Sequence, residues 1–178
     1  MAKARFEVLI NPTQQETTER EPLLIFSFYL SGRNNTLLVL SDEIIELLDN
    51  GFNNQINKDG SIERASTLLW LWTLGAYEVI RTICQAKKCF SPSFIIKADK
   101  LKKELAAVRM PSAKMEKQGK REPVNSNRSP DGWDYDNKDL LIGDPDMAIS
   151  SRGLLKLYDD TLSSLTVSDI LSSHADAY

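Results

Sequence analysis

Through the middle of the chain apolar residues recur at helical spacing. Ile62, Ala65, Leu69, Trp72, Ala76, Val79, Ile80, Ile83 and Cys84 lie on one stripe of a helix that begins after the turn Lys58-Asp-Gly-Ser61, with Ser61 as its N-cap, and runs to about Lys87. Leu68, Trp70, Leu71, Leu74 and Tyr77 widen that stripe nearly all round, which calls for cover on several sides. A homodimer through this helix, with Trp70, Trp72 and Tyr77 at the interface, is the expectation. Ser91-Pro92 then caps and opens a second helix, amphipathic through Phe94, Ile95, Ala98, Leu101, Leu105 and Val108, with lysines 97, 100, 102 and 103 on its other faces. A third helical stripe, Leu154, Leu155, Leu157, Tyr158, Leu162 and Leu165, runs over 149–165, and Thr166 to Leu171 adds a turn.

The N-terminal part reads differently. Arg5 to Ile10, Leu23 to Leu30 and Thr36 to Leu40 are compact apolar runs bounded by Asn11-Pro12 and by Ser31-Gly-Arg-Asn-Asn35, which predicts strands. Ser41 then caps a short helix from Glu43 to Asp49 that stops at Asn50-Gly51. Between the helical segments, Gly119 to Gly132 holds Pro123, Pro130 and no sustained apolar period, so 119–148 is expected to be a long loop. The pattern as a whole predicts one domain over 1–178 of α+β class, mainly α-helical. A small N-terminal antiparallel β-sheet in a β-rich 1–50 packs on a helical core over 58–172.

Composition narrows the function classes. An apolar content of 42% over 178 residues supports a sizeable core, and no solenoid repeat is visible. The net charge of -3 argues against wholesale coating of a nucleic acid, so any such contact is local. The start of the chain lacks a signal-length apolar run and Leu68–Leu74 is flanked by Glu78 and Arg81, so a cytoplasmic chain without membrane contact is expected. Cys84 and Cys89 read as reduced thiols, Cys84 in the core and Cys89 the more exposed. Two cysteines and the single His174, placed in a polar tail that reads as frayed, are too few for a zinc site or a histidine-dependent catalytic constellation. Asn57-Lys-Asp59-Gly60 matches part of a calcium loop, but Gln55 and Ser66 stand where its strongest ligands belong. No metal or cofactor is expected.

Residues 97–122 hold nine Lys/Arg against four Asp/Glu, net +5, and 131–146 hold one against six, net -5. The favoured reading is that the two segments answer each other within the molecule. The basic one contains Arg109-Met-Pro-Ser-Ala-Lys-Met-Glu116, which resembles the Arg-and-His motif of the HEPN family of mostly α-helical domains. Aligned on Arg109, Met110 replaces the usual polar residue and Lys114 the histidine. In active members the Arg and His of two subunits face each other and cleave RNA without a metal. An amine of pKa about 10.4 makes a poor base for a ribose hydroxyl, so the resemblance implies a scaffold that holds a phosphate rather than cuts it.

What the resemblance implies is therefore a catalytically silent binding or regulatory module, homodimeric, of a defence or toxin-antitoxin setting, with Arg109, Lys114, Lys117 and Lys120 contacting RNA or another polyanion. One alternative is a divergent metal-independent ribonuclease using Arg109 and Lys114. Another is a structural homo-oligomerising protein with Trp70, Trp72 and Trp133 as its surface. From the residues alone, Pro111 is equally the first residue of a helix after a loop, with Arg109 and Lys114 as surface cations.

Overall fold

Helix, not strand, is what the apolar runs Leu23 to Leu30 and Thr36 to Leu40 form. A computed structural model describes residues 10–53, 59–117, 119, 122–124 and 131–177. Among these, Gln14–Arg20 is helix α1, Leu23–Phe26 is the single turn α2, and Phe28–Asn53 is a 26-residue helix α3. Ser61–Gln85 is α4, Pro92–Lys114 is α5, and Ser151–Ser163 is α6. The antiparallel sheet expected at the N-terminus stands instead between α5 and α6, as β1 (Asp131–Asp134), β2 (Asp139–Ile142) and β3 (Ile149–Ser150) in that order. The strand expected at Arg5–Ile10 lies almost wholly outside the described residues, Ile10 aside. The mainly helical α+β class holds; the place of its sheet is corrected, and the expected loop contains two four-residue strands.

The N-terminal correction has a packing cause. On α3, Leu30, Leu37, Leu38, Ile44 and Leu48 share a buried helical stripe with Ser31, Asn34, Ser41 and Gly51. The polar members had marked turns and a cap, yet each finds a use inside a helix. Asn34 accepts a hydrogen bond from the Tyr158 hydroxyl at 2.9 Å, and Ser41 donates to the Leu37 carbonyl at 2.9 Å rather than capping anything. Tertiary burial overrides local preference here. Gly51 permits the close approach of α3 to α4, since a Cβ there would meet Ile62 Cγ1 at 2.4 Å.

The later helices follow their sequence signals closely. Asp59, whose carboxylate accepts from Ser61 N and Oγ, and Gly60 at φ 69° open α4, so Ser61 is its first residue rather than its cap. Ser91 caps α5 by accepting from Phe94 N, with Pro92 next. Pro111, however, is buried inside α5 and starts nothing. Its missing N–H leaves the Ala107 carbonyl without its usual helical donor, and Gly143, at φ 95°, packs against that carbonyl just after β2. The helix ends three residues later, where Met115 takes the left-handed conformation.

These helices share one core with β2. The C-terminal tail is part of it rather than frayed: Phe90 pairs with Ile170, Leu171 N donates to the Cys89 carbonyl, and the His174 ring stands edge-on to Phe26. That tail covers Cys89, which is buried, while Cys84 is half-buried, the reverse of the expected order. No helix among the described residues is long and apolar enough to cross a membrane.

Candidate functional site

Arg109, Lys114 and Lys117 do not converge. Arg109 stacks over the Tyr77 ring at 4.7 Å, with its guanidinium 3.9 Å from the Glu78 carboxylate, so it is bound to α4. Lys114, exposed on the last turn of α5, is five residues on, which is about 140° around the helix. Lys117 reaches Asp144 at 3.8 Å and Asp146 at 3.6 Å, an instance of the expected pairing between the basic and acidic segments. Lys120 lies outside the described residues. Of the proposed interface residues, Trp72 is wholly buried in its own chain and leaves the interface, Tyr77 is half-buried under Arg109, and Trp70 is 46% exposed.

Admitting Pro111 to α5 creates a relation that the sequence reading missed. Lys103 and Lys114 are eleven residues apart, three turns, and with Lys100 they fall within about 60° of one another on one helix face. All three are exposed, and the face extends about 21 Å along α5. The eleven-residue spacing was the signal, hidden while Pro111 was read as a helix start.

A second arrangement lies on the other side of α5. Here a cleft of about 390 Å³ opens between α4, α5 and the sheet. One wall is α4, where Ser66, Trp70 and Thr73 line up one turn apart beside Thr67 and Leu69. Val108 and Ser112, also one turn apart, form the α5 wall. Asp131 and Ile142, partners in the β1–β2 register, close the end. The Ser66 hydroxyl donates to Oδ2 of Asp131. Among the described residues lining the cleft, Asp131 is the only one that carries charge.

Burial raises the Asp131 carboxyl above its ordinary value, and the Ser66 hydrogen bond opposes that rise without cancelling it. The folded chain therefore holds this proton more tightly than the unfolded chain does. Stability from this group is full below the unfolded value and falls as pH rises through the folded one, so the carboxylate is kept at a cost.

Other chemistry-bearing residues are committed elsewhere. Burial pushes the Cys84 thiol up to about 11, which keeps it protonated and a weak nucleophile at neutral pH. Among the described residues no three His, Cys, Asp or Glu gather around one point as metal ligands. A further cavity of about 250 Å³ between α2, α3 and α6 is mostly apolar, and several of its polar groups are engaged: Glu21 accepts from Ser31 and Asn35, and Asn34 from Tyr158. Comparison with protein-family models, with curated proteins and with solved structures finds no significant match to this chain.

Proposed function

We propose that the chain is a catalytically silent, HEPN-like binding or regulatory module that takes RNA or another polyanion along the exposed face of α5. The observation that carries this reading is the alignment of Lys100, Lys103 and Lys114 on one helix face, within which no carboxylate falls. Three ammonium groups along about 21 Å match a stretch of phosphates, and lysines on a helix serve as point charges toward a backbone. Arg109, held by Tyr77 and Glu78, has a positioning role between α4 and α5 in this reading. The ribonuclease alternative asks Arg109 and Lys114 to act on one phosphate, for which their separation around the helix offers no support.

The test is salt-dependent retention of a single-stranded RNA, carried out in EDTA with the RNA recovered and sized. The RNA should be retained and recovered intact. In a Lys100→Ala/Lys103→Ala/Lys114→Ala variant the slope of log affinity against log salt should shrink by about 2, since each phosphate contact on a single strand releases about 0.7 of a counterion. Cleavage lost in Lys114→Ala would return the ribonuclease; an unchanged slope would remove the polyanion face.

A second reading, homo-oligomeric assembly, is favoured by an aromatic cluster at the far end of α3. Phe52 meets Trp133 and Tyr135 edge-on at 6.4 and 5.6 Å, and Tyr135 is largely exposed. If this cluster joins two copies, the melting temperature should rise with protein concentration, and Tyr135→Ser should abolish that dependence.

A further inference from the structure

The hydroxyls lining the α4–α5 cleft all spend their protons inward. Thr67 donates to the Glu63 carbonyl at 3.0 Å, Thr73 to Leu69 at 2.8 Å, Ser112 to Val108 at 2.9 Å, and Ser66 to the Asp131 carboxylate. What remains toward the cleft is lone pairs, a second carboxylate oxygen to which no other donor is bound among the described residues, and the indole of Trp70. Apart from the Trp70 indole N–H, such a lining offers acceptors and a π face and no side-chain donor. A ligand that suits it must bring the donors, and a positive charge answers both the carboxylate and the indole.

We infer that this cleft is a binding site for a small organic cation, the terminal ammonium or guanidinium of an alkyl amine, held by the Asp131 carboxylate and the face of Trp70 above an apolar floor. A neutral polyol would also donate hydrogen bonds to hydroxyl lone pairs. It would leave the buried carboxylate uncompensated, however, and among the described lining residues no Lys or Arg supplies that compensation. The volume of about 390 Å³ lies in the range of small-ligand sites. The cost of holding Asp131 ionised beside an apolar floor points the same way, because a bound cation would recover it. This site is independent of the lysine face, which lies on the far side of α5.

The test is titration of the full chain with agmatine at neutral pH, followed by tryptophan fluorescence and calorimetry, with butanediol and glucose as neutral controls. Saturable agmatine binding and no response to the controls are expected. Asp131→Asn should weaken that binding at least about tenfold, and Trp70→Ala should weaken it by a similar factor. Asp131→Asn should also melt higher than the parent, which shows that lost binding is not lost folding. The Lys100→Ala/Lys103→Ala/Lys114→Ala variant should bind agmatine unchanged, so the two proposals stand or fall separately. An arginine-containing tripeptide with blocked ends separates the sources: tighter binding than agmatine assigns the cleft to a partner's side chain, weaker binding to a free amine. Absence of saturable agmatine binding, equal binding of glucose, or full affinity in Asp131→Asn overturns the inference.

Discussion

Replacing Trp72 by alanine should lower the unfolding free energy by about 3–5 kcal/mol, and the midpoint should not depend on protein concentration. Trp72 is wholly buried in the middle of α4. Its indole N–H donates to the Leu37 carbonyl of α3 at 3.1 Å, and its ring stands edge-on to Tyr158 of α6, centroids 5.3 Å apart. Tyr158 in turn donates to Asn34, so one indole and one phenol tie three helices together. Alanine removes the largest side chain from that junction and opens a cavity that neighbours on three helices cannot all fill. The Leu37 carbonyl keeps the Ser41 hydroxyl as a donor, so the loss is mainly one of packing. Tyr158→Phe should cost about 1–3 kcal/mol for the orphaned Asn34 oxygen. Because Trp72→Ala also loosens the ring that aims the Tyr158 hydroxyl at Asn34, the double variant should lose less than the sum of the single variants. Chemical denaturation at two protein concentrations checks all of this. A concentration-dependent midpoint, rescued at high protein, would put Trp72 at a subunit interface after all.

The same helix shows what could be read in advance. Eight of the nine stripe positions named for α4, Ile62 through Ile83, are buried, because a long amphipathic period is a one-dimensional pattern that needs no knowledge of the partner. Ser91 and Pro92 were legible for a related reason, since a cap is chemistry local to one turn. The N-terminal helices were not. Their contiguous apolar runs fit either period, and the choice was made by Asn34, whose justification is a tyrosine 124 residues away. Cys89 was misplaced because the tail that covers it returns from residues 170–174. The cleft was invisible for the strongest reason: Asp131 looked like one more member of an acidic run, and only the β1–β2 register sets it against Ser66, 65 residues earlier. The candidate cations were named individually, but the face that three lysines share needed the helix to continue through Pro111.

Asp139 offers the sharpest link between that register and the site. Its carboxylate is buried at the start of β2, where Oδ1 accepts from Leu140 N at 2.7 Å, Ser151 Oγ at 2.5 Å and Arg152 N at 3.2 Å, and Oδ2 accepts from Ser150 Oγ at 2.5 Å. The first turn of α6 is thereby fastened to the strand that carries Ile142 and, through pairing, fixes Asp131. Arg152 extends the fastening, donating to the Lys138 carbonyl and pairing with Asp49 at the end of α3. Asp139→Ala leaves two backbone N–H groups and the buried Ser151 hydroxyl without their acceptor. The expected cost is about 3–5 kcal/mol, a large part of the stability of a domain of this size. Asp139→Asn keeps one acceptor oxygen for the backbone donors, and the Ser150 hydroxyl can turn to accept from the new amide, so it should recover more than half of the loss. Agmatine affinity should follow the sheet: weakened in Asp139→Ala at temperatures where the helices remain formed, and near parental in Asp139→Asn. If Asp139→Ala instead unfolds with parental free energy, water replaces the carboxylate at this junction, and the cleft must be held in place by helix packing alone.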